Sequence, residues 1–256
     1  MITVISPAKT LDFESPRPNI QYTHPLFSKE TNELGQVLKS LSSDDISKLM
    51  NISEALSKLN YDRFQVLNND EERVKEAIFA FKGDDVYKGL NIEEFSPEHI
   101  SFAQENLRIL SGLYGVLRPL DIIKEHRLEM GTKLKFNSLN NLYDYWEDKL
   151  SLHIEELVLQ STGDKVLINL ASDEYSKALK LKKLSKKIRV INVIFKENKN
   201  NEYKIIGLYA KKARGLMTSY IMRNEICEAN KIKTFSTEGY KFSQTMSDEN
   251  NIVFIR

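Results

Sequence analysis

Residues 165–171 read KVLINLA, and this nearly continuous apolar run decides the fold class. Such a run indicates a strand that is buried on both faces, as in a parallel sheet whose two sides are covered by helices. The next residues, SDEYSKAL at 172–179, begin with helix-capping side chains and predict a helix. A buried strand that passes directly into a helix is the repeating unit of α/β folds.

Other segments extend this alternation along the chain. The apolar run Ile2–Ile5 predicts a first strand, and segments 188–195 and 202–210 predict two strands joined by a turn. Helical periodicity continues from 28 to 67, with capping signals in SSDD and NISE. We therefore predict a mixed α/β (α+β) fold with a mixed sheet flanked by helices. It forms a single domain over 1–256 with a helical insertion at about 28–67.

Shorter patterns predict the remaining elements. The apolar run AIFAF at 77–81 predicts a buried strand. The motif SPEH at 96–99 begins a helix that we expect to reach about residue 110. Amphipathic patterns predict helices over 142–159 and 210–226, and residues 240–256 predict a closing hairpin.

Composition and cysteine count exclude several classes of protein. The 256 residues contain no apolar run long enough to span a membrane, and the N-terminus lacks the pattern of a secretory signal. Cys227 is the only cysteine, which excludes an internal disulfide and fits a reducing compartment. The four histidines are isolated, and the chain has no glycine-rich phosphate loop. We therefore predict a cytoplasmic protein without a metal site and without a cofactor.

The net charge of +1 conceals an uneven distribution of charge along the chain. Residues 1–150 contain 18 Lys/Arg and 24 Asp/Glu, whereas the remaining residues contain 19 and 12. Two blocks in the second half, from Glu174 to Glu197 and from Glu202 to Glu225, contain cations but no acidic residue between their ends. Such blocks either form solvated surfaces or meet an anionic partner, and two of them in one half favour a polyanion.

The second block contains a predicted helix with a basic face. Lys212 and Arg223 are eleven residues apart and therefore share one face, about 16 Å from each other along the axis. Lys211 and Arg214 form a neighbouring stripe. A helix with an apolar face toward the core and cations on its outer face can follow DNA phosphates. The alternative is an ordinary solvated surface.

Two glycines lie between two helical patterns near the centre of the chain. The run LSGLYGVL, with Gly112 and Gly115, is similar to the hairpin of helix-hairpin-helix DNA-binding elements. In those elements glycines let backbone N–H groups approach a phosphate, and Arg118 directly after the run is a further candidate contact. In the usual motif one apolar residue separates the two glycines, whereas two residues separate them here. The alternative is an ordinary turn between two helices.

Several lysines and carboxylates lie at predicted strand ends. Lys9 follows the first strand, and ligands of α/β proteins bind in crevices at such ends. Lys9 is therefore a candidate anion contact or reactive amine, with a lysine on a surface turn as the alternative. Asp173 and Glu174 follow the strand at 165–171. They are candidates for a general base and its partner, or for residues that cap the next helix.

Seven short motifs together resemble the bacterial peroxide stress protein YaaA family. They occur in the order expected for that family and extend over nearly the whole chain, from residue 2 to about 242. Segments 14–75 and 176–205 match less distinctively. The motifs are ISPAKTLDF (5–13), AFKGD (80–84), LSGLYGVLRPLD (110–121), RLEMG (127–131), INLASDEY (168–175), YAKKARGLM (209–217) and EGY (238–240).

The resemblance implies a cytosolic protein of the response to hydrogen peroxide, which limits oxidative damage by keeping unincorporated iron low. It also implies a compact α/β fold that binds duplex and irregular DNA through a helix-hairpin-helix-like element and a positively charged cleft. It assigns no enzymatic activity. The DNA contacts that it implies here are Gly112, Gly115, Arg118, Lys211, Lys212 and Arg214, to which the helical pattern adds Arg223.

Two main hypotheses about function follow. The first is a DNA-binding stress protein with weak sequence preference, because no recognition helix is present, and with strong salt dependence. The second is an enzyme that acts on a nucleotide, a nucleobase or damaged DNA, since Lys–carboxylate pairs support Schiff-base and acid–base chemistry. Its candidate residues are Lys9, Lys82, Arg127, Glu129, Asp173 and Glu174, with Asp84, Asp121 and Glu238 as further polar motif residues.

The hypotheses differ in which side chains must meet. The DNA hypothesis requires one electropositive groove that contains Lys9, Arg118, Lys212 and Arg214. The enzyme hypothesis requires one pocket that contains Lys9, Lys82, Arg127 and Glu174. A third hypothesis is an interaction protein whose basic half binds an acidic partner. We expect a monomer that binds DNA without sequence specificity, does not bind membranes, and is compatible with a small anionic ligand.

Overall fold

The computed structural model of the protein describes residues 1–68, 73–83 and 86–256. Asp84, the last residue of the AFKGD motif, lies outside the described residues. The strands are β1 (Ile2–Ile5), β2 (Thr10–Leu11), β3 (Val74–Glu76), β4 (Phe81–Lys82), β5 (Leu107–Ser111), β6 (Gly115–Leu117), β7 (Ile122–Lys124), β8 (Val166–Asn169), β9 (Arg189–Lys199), β10 (Glu202–Lys204), β11 (Lys241–Phe242) and β12 (Asn251–Ile255).

One mixed sheet organises the fold. Its strand order is β11-β12-β9-β8-β1-β5-β6, with β10 paired to β9. The strands β1, β5, β8, β9 and β12 run parallel, whereas β6, β10 and β11 are antiparallel to their neighbours. Val166–Asn169 is completely buried in the middle of this sheet, as its apolar run predicts. The predicted mixed α/β class is confirmed.

The strand order reverses at β1. The chain passes from β1 to β5 on one side of it and later returns to β8 on its other side. In open α/β sheets, ligands bind outside the carboxyl ends of the strands at such a point. We call the side at which β1, β5 and β8 end the carboxyl edge, and the opposite side the amino edge.

The helices cover the sheet and bury its apolar side chains. Trp146, Phe195 and Phe254 are fully buried, and α11 packs against β1, β9, α5 and α6. Among the described residues, no helix combines the length and the apolar character needed to cross a bilayer. The helices are α1 (Ser28–Lys39), α2 (Ser43–Met50), α3 (Glu54–Gln65), α4 (Ala77–Ala80), α5 (Val86–Leu90), α6 (Pro97–Asn106), α7 (Leu142–Trp146), α8 (Lys149–Gln160), α9 (Asp173–Ser176), α10 (Leu181–Leu184) and α11 (Gly207–Arg223).

The predicted capping signals begin their helices as expected. The Ser42 side chain accepts a hydrogen bond from the Asp45 backbone, while the Asp45 carboxylate accepts one from the Ser42 backbone. Ser53 caps α3 through the Leu56 amide, and Ser96 caps α6 directly before a proline. The predicted helical region at 28–67 therefore contains three helices in succession, α1, α2 and α3.

Two predicted elements have a different structure. Within AIFAF, Ala77–Ala80 form one turn of helix, and the strand begins only at Phe81. A short apolar run does not distinguish a buried strand from a buried helical turn. Likewise, the segment 202–210 contains only a short strand that ends at Lys204, because α11 already begins at Gly207.

Gly112 and Gly115 connect two strands rather than two helices. The helix that begins after Ser96 ends at Asn106, and β5 follows it directly because its residues pair with β1. β5 then pairs with β6 as an antiparallel hairpin, with Gly112 in its connection and Gly115 as the first residue of β6. The helix-hairpin-helix prediction is therefore wrong at this position, because pairing with a distant strand overrides the local helical pattern.

Candidate functional site

Loops from different parts of the chain are joined at the carboxyl edge. The Ser6 hydroxyl oxygen, directly after β1, accepts a hydrogen bond from the backbone N–H of Ser172 at 2.9 Å. The Tyr87 hydroxyl donates to the carbonyl oxygen of Ser6 at 3.3 Å. The first bond connects the loop after β1 with the loop after β8, and the second connects it with α5. Lys9 and Asp173 consequently belong to the same edge of the sheet.

One carboxylate bridges two cations at this edge. Glu129 accepts hydrogen bonds from Lys9 Nζ and from Arg127 Nη2, each at 2.9 Å. Burial opposes ionisation of Glu129, but the two cations outweigh burial and lower the pKa of this carboxyl. The Lys9 side chain is 63% exposed and that of Glu129 only 26%. The ammonium group is therefore open to a ligand, whereas the carboxylate is shielded.

A small cavity adjoins the Lys9–Glu129 pair. Its volume is about 20 Å³, which is room for one water molecule, and Ser111, His126 and Tyr175 contribute to its lining. Burial, followed by the negative charges of the neighbouring glutamates, raises the pKa of Tyr175. The phenol thus stays protonated near neutral pH. An amine, a carboxylate and a phenol around one space can bind an oxyanion or transfer protons.

Gly112 lets the chain segment with Arg127 and Glu129 approach the end of β5. A Cβ atom on Gly112 would lie 2.3 Å from the carbonyl oxygen of Leu128 and 3.1 Å from the carbonyl carbon of Glu129. Contacts this short require the backbone to move. Gly112 is buried, and its carbonyl accepts a hydrogen bond from the Trp146 indole at 3.0 Å. It therefore acts on the site by positioning Glu129.

Gly112→Ala is expected to displace this segment and weaken the Lys9–Glu129 contact. We expect a loss of about 1–3 kcal/mol of stability, because the new methyl group meets backbone atoms. Calorimetry should show a melting temperature that is lower by roughly 3–9 °C. Gly131→Ala is the matched control in the same segment, since its Cβ would first meet the Glu174 side chain at 3.1 Å. Equal melting temperatures for the two variants would contradict the proposed close approach.

Glu174 also contacts the segment that contains Arg127 and Glu129. Its carboxylate accepts a hydrogen bond from the Gly131 amide at 2.9 Å, and its backbone carbonyl accepts one from the Tyr143 hydroxyl at 2.9 Å. These contacts give Glu174 a positioning role. The general acid–base role of Glu174 stays a prediction.

α11 brings further cations to the carboxyl edge. Lys212 forms an ion pair with Glu238, so the motifs YAKKARGLM and EGY meet. Arg214 interacts electrostatically with Asp173, and burial lowers the pKa of its guanidinium while Asp173 opposes that shift. Lys211 is exposed on the same helical turn. Arg214 of α11 therefore lies within electrostatic reach of Asp173 at the start of α9.

Lys82 lies beside the cavity but is bound elsewhere. Its strand β4 pairs with β2, which places Lys82 opposite Thr10, the residue after Lys9. The Lys82 ammonium forms an ion pair with Asp12 at 2.9 Å. Hydrogen bonds from Ser15, and then from Lys82, lower the pKa of Asp12. The structure thus brings Lys9, Arg127 and the start of α9, which contains Glu174, together and leaves Lys82 in a neighbouring ion pair.

Arg118 and Arg223 lie at the amino edge, away from Lys9. β6 is antiparallel to β5, so Arg118 follows it at the level where β5 begins, and it pairs with Asp121 at 2.9 Å. Arg223 ends α11, about 13 Å from Arg214 along the axis, and pairs with Glu94 at 2.6 Å. The prediction that Arg118 shares one groove with Lys9, Lys212 and Arg214 is therefore wrong. β6 runs antiparallel to β5 and so brings Arg118 to the amino edge.

Sequence reasoning missed several residues at the carboxyl edge. Tyr175 is the last residue of the INLASDEY motif, and its place in that motif is the sequence signal that could have identified it as a site residue. Arg256 donates to Glu197 at 2.8 Å and lies over the ring of Tyr240, whose hydroxyl also donates to Glu197. No local pattern connects residues so far apart in sequence. Within residues 1–68, 73–83 and 86–256, no group of three or more His, Cys, Asp or Glu side chains is placed to hold a metal ion.

Comparisons with known proteins identify relatives over the full length of the chain. A family model described as peroxide stress protein YaaA matches residues 1–246. A UPF0246 protein of Clostridium botulinum is 46% identical over 255 residues, which cover 99% of this chain and 98% of the relative. UPF0246 proteins of Saccharophagus degradans and Acaryochloris marina are each 45% identical over 258 residues, covering all of this chain and 99% and 100% of the relatives. The resemblance predicted from the seven motifs is confirmed, and the chain belongs to the peroxide stress protein YaaA family.

Proposed function

We propose that this protein binds DNA phosphates at the carboxyl edge of its sheet, without sequence preference, as part of the peroxide stress response. The observation that supports this most is α11, which has no acidic residue from Gly207 to Arg223 and brings Lys211, Lys212 and Arg214 to that edge. Phosphate contacts supply the affinity of non-specific binding and carry no sequence information. Limitation of free iron and of oxidative DNA damage in the cytoplasm belongs to the same proposal, on the strength of family membership.

The carboxylates at this edge determine how DNA competes for the cations. In the unbound protein Glu238 forms an ion pair with Lys212, and the negative charge of Asp173 acts on Arg214. Partly exposed ion pairs contribute only about 0–1 kcal/mol, so a phosphate can replace the carboxylate at a small cost. Each replacement releases counterions from the duplex, and affinity therefore falls steeply as salt rises.

Lys212→Glu is expected to lower the affinity for duplex DNA about ten-fold at ~50 mM salt, because it replaces a phosphate contact with a repulsive charge. Fluorescence anisotropy with duplex, mismatched and single-stranded oligonucleotides at ~50 mM and ~300 mM salt measures the effect. Arg223→Glu is the matched control, since it reverses the same charge at the other end of the same helix. Its affinity should change less than about two-fold. Salt-independent binding, or equal losses in both variants, would exclude a binding surface at the carboxyl edge.

A second function is favoured by the Lys9–Glu129 pair and its adjacent cavity. We propose, as the alternative, an enzyme that acts on a nucleotide, a nucleobase or damaged DNA. The Lys9 amine can attack the aldehyde carbon of an abasic site once its ammonium proton has passed to water. Loss of water from the adduct then gives a Schiff base. The exposure of Lys9 and the 2.9 Å contact with Glu129 are the observations that support this alternative.

Borohydride trapping separates the catalytic alternative from simple binding. Borohydride reduces a Schiff base to a stable amine, so an abasic duplex incubated with the protein should become covalently attached at Lys9. Lys9→Arg should abolish the adduct while it retains the charge and most of the DNA affinity. Lys82→Arg is the matched control, because Lys82 is a similarly exposed, ion-paired lysine on the adjacent strand. An adduct of equal yield in both variants would rule out Lys9 as the nucleophile.

A further inference from the structure

An open cleft of about 1190 Å³ lies at the amino edge, on the far side of the sheet from Lys9. Its walls are formed by residues 20–23, by α6 and by the end of α8. Ile2 at the start of β1 and Arg108 near the start of β5 also line it. The cleft is therefore separate from the carboxyl edge.

Arg108 is a buried cation with few partners in the described part of the chain. Only 4% of the surface of Arg108 is exposed. Its Nη1 donates hydrogen bonds to the carbonyl oxygens of Gln104 at 2.9 Å and Leu107 at 2.7 Å. Among the residues that the structure describes, the buried Nε atom has no hydrogen-bond partner. None of the ion pairs among the described residues contains Arg108. A buried charge without a close counter-ion is costly.

Neighbouring charges increase this imbalance. Ile109 is paired with Leu117, so the antiparallel register places Arg108 opposite Arg118. Like charges at directly opposite positions destabilise a sheet. Asp121 partly offsets them, but its carboxylate already accepts hydrogen bonds from Arg118 at 2.9 and 3.1 Å and from Thr23 at 2.6 Å.

Electrostatics of the surrounding elements agree with this geometry. Burial, followed by the charge of Arg118, lowers the pKa of Arg108 to about 10, so the guanidinium remains charged at neutral pH. Glu105 and Asp121 oppose that shift. On α8, burial and then the charge of Arg108 lower the pKa of His153, while Glu156 opposes this. The positive charge of Arg108 would therefore stabilise an additional anion in the cleft.

We propose that the cleft binds a small phosphate ligand, either inorganic phosphate or a phosphate monoester, through the guanidinium of Arg108. Because Nη1 donates to two backbone carbonyls and Nε is buried, Nη2 is the guanidinium atom through which Arg108 would donate to a phosphate oxygen. Glu98, Glu105 and Glu225 also line the cleft, and their charges disfavour an extended polyanion such as DNA. Tyr22 adds an aromatic surface that can contact the organic part of a monoester. This site is independent of the function proposed for the carboxyl edge.

Thermal unfolding of the full chain with inorganic phosphate tests the proposal. At about 10 mM phosphate, we expect a melting temperature roughly 3–6 °C above that in sodium chloride of equal ionic strength, as for a ligand that binds the folded state with a Kd near 1 mM. Arg108→Met should abolish the shift, because it keeps much of the side-chain volume without the charge. Lys9→Ala at the carboxyl edge should retain it.

A second variant keeps the test decisive if Arg108→Met does not fold. Glu105 is exposed, and Glu105→Gln removes a carboxylate that competes with the ligand. Calorimetric titration with inorganic phosphate should show an affinity about two- to three-fold higher than that of the wild type. The proposal is overturned by a wild type that phosphate does not stabilise, by a full shift in Arg108→Met, or by unchanged affinity in Glu105→Gln. Loss of the shift in Lys9→Ala alone would assign phosphate to the carboxyl edge instead.

Discussion

Gly215→Ala is expected to destabilise the protein by about 3 kcal/mol or more, the largest effect that we predict for a single methyl group. Gly215 lies where α11 crosses α5, and a Cβ atom there would be 1.9 Å from the carbonyl oxygen of Val86 and 2.8 Å from the amide nitrogen of Leu90. Both atoms belong to the backbone of α5. Because no side chain can rotate away, the two helices must separate or distort.

Gly207 provides the matched control for this substitution. It is the first residue of the same helix, and a Cβ atom there would have nothing within 4 Å. Gly207→Ala should therefore stay within about 1 kcal/mol of the wild type. Differential scanning calorimetry should show a melting temperature roughly 6–12 °C lower for Gly215→Ala. Similar stability of the two variants would show that α5 and α11 are not packed this closely.

Acidification from pH 7 to pH 4 is expected to remove about 3 kcal/mol of stability through His126 alone. Burial, as the largest cause, lowers the pKa of His126 to about 4, and its Nδ1 lies 2.8 Å from the carbonyl oxygen of Lys124. In the unfolded chain a histidine titrates near pH 6.5. Below that pH the unfolded state binds a proton that the folded state excludes. The stabilisation is thus complete above about pH 6.5 and is lost as the pH falls toward 4.

Urea unfolding of paired variants isolates this contribution from the other groups that titrate. His126→Phe removes the titrating ring and keeps an aromatic side chain between Phe81 and Tyr114. The stability of wild type relative to this variant should fall by about 2–3 kcal/mol between pH 7 and pH 4.5. His24 is exposed, so His24→Asn should follow the wild type at each pH. A pH-independent difference between the wild type and His126→Phe would show that His126 is not buried in the neutral form.

Local patterns predicted the elements whose periodicity or capping needs no distant partner. The buried strand in 165–171, the caps at Ser42, Ser53 and Ser96, and the amphipathic helix that contains Lys212 are all present. Each depends on contacts within a few residues or on a run of apolar side chains. The same reasoning failed at 107–111, where pairing with β1 converts a helical pattern into a strand. Propensity is too weak to resist such pairing.

In the candidate site, too, local patterns predicted single residues but not the partners that come from distant segments. The sequence predicts Lys9 and Asp173 at strand ends because each follows an apolar run, and ligands of α/β proteins bind at such ends. Their partners were not predictable, since Glu129 and Arg214 come from segments whose distance in space depends on strand order. Arg118 shows this most clearly: one antiparallel strand is enough to carry it from the carboxyl edge to the amino edge.

By itself, the amino-acid sequence determined the family, the α/β class and the types of residue available for chemistry, because these depend on composition, order and short-range pattern. Only the tertiary structure decided that Glu129 bridges Lys9 and Arg127 and that Gly112 and Gly215 allow close backbone packing. It also decided that the buried Nε of Arg108 has no hydrogen-bond partner within residues 1–68, 73–83 and 86–256. Those features depend on strand order and on distances between segments remote in sequence. They result from packing the apolar side chains of the whole chain into one core, and a local sequence pattern contains no information about that packing.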